Sequence, residues 1–216
     1  IFMATAQGTV KKTPLSAFAN PRGKGIIAAE LDEGDFLIGV AITDGTHDVM
    51  LFSDAGKAVR FGEDDVRPTG RVTRGVRGMT LELGQRVISM LVAENESQTV
   101  LTATENGFGK RTPISEYTRH GRGTKGMIAI HTGERNGDLV GAVLVEETDE
   151  VMLVSTGGVV IRTKVAQIRE QGRSTQGVTL INLDAGTRLA GIEKVLESDE
   201  DPGGGDDDAK DAAAGK

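Results

Sequence analysis

The sequence predicts an all-β fold: a propeller-like array of about four repeated four-stranded antiparallel blades. Three observations predict it. An octet recurs four times without gaps, beginning at Ile1, Val49, Val100 and Val151, at spacings of 48, 51 and 51 residues. Gly supplies 30 of the 216 residues, about twice its usual share and without a collagen period, which implies many tight turns between many short strands. Trp is absent and only six Phe and one Tyr are present, so the core is to be built from Val, Ile, Leu and Met.

Each element of the repeat has its own chemistry. One column of the octet reads Thr5, Ser53, Thr104, Ser155, and three residues later stand Gly8, Gly56, Gly107 and Gly158. Ser or Thr at the first position and Gly at the fourth is the preference of a type I turn. Apolar and β-branched residues flank it, so each copy reads as a β-hairpin. Four residues after each Gly comes a base, namely Lys12, Arg60, Arg111 and Arg162, placed to point outward from the second strand. A second landmark follows: Arg22-Gly23-Lys24-Gly25, Arg74-Gly75-Val76-Arg77-Gly78, Arg122-Gly123-Thr124-Lys125-Gly126 and Arg173-Ser174-Thr175-Gln176-Gly177. Then comes another apolar run, at 37–42, 87–92, 139–145 and 189–195, and polar turns such as 43–48 lead to the next hairpin. About four strands in roughly 50 residues is the size of one propeller blade. Pro68, Pro113 and the stretch Ser115-Glu116-Tyr117 fall in connections where a helical turn fits. The expected layout is a β-domain over 1–196, with repeats of about 1–48, 49–99, 100–150 and 151–196. An acidic tail over 197–216 has almost nothing to bury and is expected to be disordered.

Composition excludes several functions. With no Cys there is no disulfide framework, thiolate metal site or cysteine nucleophile. The apolar run at 87–93 is too short to span a membrane, and no signal peptide is visible, so a cytoplasmic setting is expected. The opening Ile1-Phe2-Met3-Ala4 already reads as the inside of a strand, which suggests a piece of a longer protein. The net charge of −7 is uneven: the tail holds eight acids against Lys210 and Lys216, or −6, and the other 196 residues hold 23 bases against 24 acids, or −1. Position rather than total charge must decide what the folded part attracts.

Catalytic and cofactor signals are weak. Residues 121–126 match G-x-G-x-x-G, but Met127-Ile128-Ala129-Ile130 after them reads as a strand where a dinucleotide site needs a helix. Tyr117 has no base or metal constellation around it in the sequence and reads as a core or interface residue. His47, His120 and His131 show no ligand spacing with nearby carboxylates. Asp206-Asp207-Asp208 reads as a solvated run rather than a cation loop. No cofactor and no metal are expected.

The repeated bases are the stronger signal. Lys and Arg on outer strands often only keep sheet edges soluble. Here Lys11 and Lys12, Arg60, Lys110 and Arg111, then Arg162 and Lys164 recur at equivalent places, and a second set comprises Arg22, Lys24, Arg71, Arg74, Arg77, Arg119, Arg122, Lys125 and Arg173. Repeats arranged about an axis would align these into one curved basic track suited to phosphates. The shortage of aromatics argues against single strands, which need stacking platforms, and favours double-stranded DNA held by its backbone. The rival reading is a propeller-like scaffold binding protein through one face; Phe18, Phe61, Phe108 and Tyr117 are its thin support.

The runs F-M-A-T-A-Q-G-T-V-K-K-T, E-V-M-L-V-S-T-G-G-V-V-I-R-T, L-T-A-T-E-N-G-F-G-K-R-T and G-E-R-N-G-D-L-V-G-A-V-L-V closely resemble the C-terminal domain of the DNA gyrase A protein, over about residues 1–196. The corresponding domain of topoisomerase IV is a weaker match. The resemblance implies a β-pinwheel whose neighbouring blades exchange strands and whose basic outer rim wraps duplex DNA for negative supercoiling. It implies a non-catalytic role within an ATP-dependent type II topoisomerase. The implied partners are the rest of the gyrase A protein and gyrase B, in a heterotetramer, with the DNA-breaking tyrosine in another domain. The family's Q-R-R-G-G-R-G box, which belongs to the first blade, is absent. Four units stand where the family usually has six, so the first blades are expected to be missing. The acidic tail is expected to lie on the rim and compete with DNA, or simply to aid solubility.

Overall fold

The computed structural model describes residues 1–21 and 23–196. The expectations for Arg22 and for the tail at 197–216 lie outside the described residues.

Each repeat opens with a hairpin, then makes a single 3-10 turn, and closes with a strand from its final apolar run. In the first repeat these strands are β1 (Phe2–Thr5), β2 (Thr9–Lys12) and β3 (Leu37–Ala41). The second has β4 (Asp48–Ser53), β5 (Lys57–Gly62), the two-residue β6 (Val76–Arg77) and β7 (Val87–Ala93). The third has β8 (Thr99–Thr104), β9 (Phe108–Pro113), β10 (Met127–Ile128) and β11 (Leu139–Val145). The fourth has β12 (Glu150–Ser155), β13 (Val160–Lys164), β14 (Val178–Thr179) and β15 (Leu189–Lys194).

The turns form as their chemistry requires. The amides of Gly8, Gly56, Gly107 and Gly158 donate to the carbonyls of Thr5, Ser53, Thr104 and Ser155 at 2.9–3.1 Å, and each Gly has a φ of 72° to 84°. A register shift falls at the end of the first hairpin strand in every repeat, between Ala4 and Thr5, Phe52 and Ser53, and Val154 and Ser155, and opposite Ala103 and Thr104 between Leu139 and Gly141. Such bulges increase local twist and re-aim the chain into the turn.

The sheets are not made of single repeats. Their orders are β3-β1-β2-β6, β7-β4-β5-β10, β11-β8-β9-β14 and β15-β12-β13, with antiparallel pairing in the registers throughout. The fourth strand of each of the first three blades is thus lent by the following repeat. The fourth sheet has three strands, where the repeat predicts four, because no described segment pairs with the outer edge of β13. The all-β array of antiparallel blades is otherwise as the sequence predicts.

Strand exchange adds a second demand for glycine at three of the four turns. The carbonyl of Gly8 accepts from the amides of Gly78 and Met79, that of Gly56 from Ala129 and Ile130, and that of Gly107 from Leu180 and Ile181. A Cβ at Gly56 would lie 2.3 Å from the Ile130 carbonyl oxygen, and one at Gly107 2.5 Å from that of Ile181. Only a residue without a side chain lets the visiting chain come so close.

Blades stack through their faces. In β4, Val49 and Leu51 pack with Phe2, Ala4 and Val10 of the first blade, while Met50 and Phe52 pack with Val100, Ala129 and Ile130 on the other side. Alternate side chains of a strand point to opposite faces, so a blade between two others is apolar on both. β12 packs on one face: Val151 and Leu153 are buried, and Met152 and Val154, on the other, are exposed. Tyr117 is fully buried edge-on to Phe52, with centroids 5.9 Å apart and planes at 72°, an arrangement worth about 0.5–1.5 kcal/mol beyond area burial. Burial raises its phenol above the ordinary range, which agrees with reading it as a core residue.

The closing strands define an axis. β3 packs on β7, β7 on β11 and β11 on β15. Ile38, Ile88, Val140 and Ala190, one from each, converge on a cavity of about 330 Å³. The lent strands β6, β10 and β14 lie at the opposite sheet edges and therefore form the outer rim.

Candidate nucleic-acid interface

The loops leading into the lent strands carry the rim's bases. Val76, Met127 and Val178 pair with Val10, Ala58 and Gly109, which are equivalent positions in successive hairpins. The glycines before them, Gly75, Gly126 and Gly177, have φ of 104°, 78° and 76°. The sequence pattern aligns Arg74 with Arg122 and Arg173; the structure corrects this by three residues. Arg71, Arg122 and Arg173 are equivalent, as are Thr73, Thr124 and Thr175, and Lys24, Arg74, Lys125 and Gln176 each precede the repeat's glycine. The true register is hidden in sequence because Arg71 and Arg74 offer the same residue type three positions apart, and only strand pairing chooses between them.

The two columns differ in what they touch. Arg71 Nη1 donates to the Ile27 carbonyl at 2.7 Å, Arg122 Nη1 to Arg77 at 3.1 Å and Arg173 Nη1 to Ile128 at 2.6 Å. Arg122 Nε also reaches the Asp65 carbonyl, and Arg173 Nε that of Glu116, each at 3.0 Å. Lys24, Arg74 and Lys125 are exposed, as Arg122 is, but their charged ends meet no backbone carbonyl among the described residues. Arg74 pairs with Asp32 at 2.9 Å and Glu30 at 3.7 Å, and Lys125 with Glu82 at 3.5 Å. Exposed pairs of this kind are worth about 0–1 kcal/mol, so a phosphate can displace them. Arg77 is exposed and has no side-chain partner among the described residues. Arg119 is exposed between Asp48 at 3.4 Å and Asp64 at 3.0 Å.

The hairpin bases do not all point outward, a second correction. Lys11 is buried, with Nζ donating to the carbonyls of Ala28, at 3.1 Å, and Arg71. Lys110 is fully buried, its Nζ donating to Gly172 at 2.6 Å and Thr175 Oγ1 at 3.0 Å, and to the Arg173 carbonyl. Burial pushes its ammonium down to about 8, opposed by Glu116 and assisted by Arg173. Arg60 is 9% exposed, paired with Asp48 at 2.8 Å and with Glu96, and it donates to the carbonyls of Ile114 and Tyr117. Its burial would lower its pKa, but Glu96 and Asp48 overcome this and raise it. Lys12 is half-buried on the Glu63 carbonyl and Arg111 on that of Ile168. The reason is common to all five: the next repeat's chain folds over the second hairpin strand and covers what an isolated hairpin would expose. Arg162, paired with Glu150, and Lys164 stay exposed on β13, where no lent strand covers them.

Sequence reasoning missed Arg67 and Arg169. Both are exposed and equivalent, each directly after the buried apolar residue that follows a 3-10 turn, Val66 or Ile168. That repeated apolar–basic step was the available signal. It also missed a histidine–carboxylate group: ligand atoms of Asp44, His47 and Glu63 all lie within 4.8 Å of one another. Glu63 sits just past the partner strand of the hairpin, too far along the chain for a spacing rule to find. Its Oε1 accepts the amides of Gly45 at 2.7 Å and His47 at 2.9 Å, and its Oε2 the Thr43 hydroxyl at 2.5 Å. Asp44 Oδ1 accepts from Thr46. The oxygens are already engaged, and the group serves as a clamp on the 43–48 turn.

Comparison with known proteins agrees with this architecture. A family model described as DNA gyrase C-terminal domain, beta-propeller, matches residues 1–44, 47–94, 98–146 and 149–195. The chain is 57% identical over 208 residues to the DNA gyrase A protein of Pseudomonas aeruginosa, covering 96% of this chain and 22% of that protein. It is 48% identical over 197 residues to that of Escherichia coli, covering 91% and 22%. The chain thus spans less than a quarter of the length of these two relatives. Among solved structures, a DNA gyrase A C-terminal domain superposes with a TM-score of 0.80 at 30% identity, over 90% of this chain and 65% of that one. The C-terminal domain of a DNA topoisomerase IV shares the fold, with a TM-score of 0.85 at 24% identity, over 90% of this chain and 61% of that one. From the four matched repeats and the exchanged blades together, the chain belongs to the DNA gyrase A C-terminal domain family.

Proposed function

We propose that this chain binds duplex DNA along its outer rim and bends it, as the non-catalytic wrapping part of a type II topoisomerase of the gyrase kind. The observation that carries this is the placement of Lys24, Arg74 and Lys125 at one repeating position of the rim loops, with Arg77 exposed on β6 beside them, on a body whose net charge is near −1. Membership of the gyrase A family supports it. Arg119, Arg162, Lys164, Arg67 and Arg169 extend the basic surface. Lys11, Arg60 and Lys110 are buried and serve the fold.

Bending about 20–40 base pairs through a right angle costs on the order of 1–6 kcal/mol. Each neutralised phosphate contributes through counterion release, with a salt slope of about −0.9 per contact. One blade offers too few contacts to offset the bend; several in series suffice. Backbone contacts carry no base information, so sequence preference is weak. On this reading the chain works in the bacterial cytoplasm, joined to the rest of a gyrase A protein within an ATP-dependent assembly with gyrase B. Among the described residues no helix is long and apolar enough to cross a membrane. The scaffold reading loses much of its support, since Phe61 and Tyr117 are buried and Phe108 lies under Arg135, 4.0 Å from its ring centroid.

The test is fluorescence anisotropy of a labelled duplex of about 40 base pairs, the upper end of the bent length, at several salt concentrations. Binding with a steep salt slope and little sequence preference is expected. Absence of binding at low salt would reject the proposal for this chain.

A further inference from the structure

The rim bases divide into two kinds, and only one kind is placed to meet phosphate. We propose that Arg71, Arg122 and Arg173 are positioning residues that staple each rim loop to the chain just beyond the preceding repeat's rim glycine. They thereby set the spacing of Lys24, Arg74 and Lys125 along the rim; this last step rests on the DNA-binding reading.

Three observations converge. The same contact occurs three times, from Nη1 of the arginine to the carbonyl of the second residue after that glycine: Ile27, Arg77 and Ile128. In two repeats Nε makes a second contact to the carbonyl of the last residue of the preceding repeat's 3-10 turn, Asp65 or Glu116. A planar guanidinium can span two fixed carbonyls, and a lysine ammonium on a flexible stem does so poorly. The staple is also continuous: the loop ending at Gly126 is tied back to Arg77, and the loop ending at Gly177 to Ile128, which the first of these loops leads into. Further bonds run the same way. The Thr80 hydroxyl donates to Gly123 at 2.7 Å, the Gly123 amide to Gly78 at 2.6 Å, and the His131 amide to Thr175 at 3.1 Å. A guanidinium engaged with carbonyls is a poor phosphate ligand, whereas Arg74 and Lys125 in the column at the glycine are held by exposed carboxylates.

The repeats are held unequally from beneath. Lys11 reaches the Arg71 carbonyl and Lys110 those of Gly172 and Arg173, but Val59 occupies this place in the second hairpin. The loop at 121–126 therefore has no lysine beneath it to share the load of its arginine.

The test compares Arg122→Lys, which keeps the charge, with Lys125→Gln, which loses it, and uses Arg173→Lys as the milder staple variant. Hydrogen exchange is read at the amides of 123–130, and bending by energy transfer between the ends of the same labelled duplex. Arg122→Lys is expected to raise exchange there on the order of five- to thirtyfold and to reduce bending, with its salt slope unchanged. Arg173→Lys, backed by Lys110, should show a smaller change at 174–181. Lys125→Gln should leave exchange alone and lower the slope by about 1. Wild-type exchange and bending in Arg122→Lys, in a protein that binds DNA, would overturn the staple. If the wild type binds no DNA while exchange responds as expected, the DNA reading fails and the staple stands as a structural device.

Discussion

Glu63 shows how one residue governs a surface turn. Its carboxylate is fully buried and accepts three hydrogen bonds from the 43–47 segment. Burial alone would raise its pKa; the hydrogen bonds from Thr43, His47 and Gly45, helped by Lys12, hold it below the ordinary 4.5. The folded state therefore binds this proton more weakly than the unfolded chain. The stabilisation is fully present above pH 4.5 and is lost as pH falls through the lower folded value. Glu63→Gln should cost about 1.5–3 kcal/mol at neutral pH, the range for hydrogen bonds to a charged group. Urea denaturation of both proteins from about pH 7 down to about pH 3 should show the gap closing in acid. A gap independent of pH would assign the cost to packing.

Strand exchange, at the scale of the element, rests on glycines, and the repeats supply an internal control. Gly107 and Gly158 occupy the same turn position with φ of 82° and 80°. A Cβ at Gly107 meets the Ile181 carbonyl, whereas one at Gly158 has nothing within 4 Å. Gly158→Ala should cost about 1–2 kcal/mol for the left-handed backbone; Gly107→Ala should cost more and expose the amides of 178–181 to exchange. Equal costs would show that the turn, not the visiting chain, demands glycine. Much at this scale was legible in sequence. The octet, its turn glycines and the four closing runs located the hairpin and closing strands near their observed ends, because period-2 apolar patterning and turn chemistry are local. Which repeat supplies a blade's fourth strand was not local: Val76-Arg77 and Met127-Ile128 are too short to carry a pattern. The burial of Lys11, Arg60 and Lys110 follows from the same exchange, since a hairpin read alone shows Lys110 to solvent. The exposed column at Lys24, Arg74 and Lys125 was named from sequence, but its separation from Arg71, Arg122 and Arg173 needed the register of β6, β10 and β14.

At the scale of the molecule, function depends on charge placed along an arc rather than on total charge. The inner strands fix the axis, stacked faces fix the angle between blades, and the lent strands carry the bases to the rim. The most direct measurement is the salt dependence of duplex binding for a variant with Lys24, Arg74, Arg77 and Lys125 all changed to Gln, beside the wild type. The four side chains are exposed, so thermal unfolding should be nearly unchanged. The slope of log affinity against log salt should shrink by roughly three to four. A folded variant that keeps the wild-type slope would contradict the rim as the DNA-binding surface.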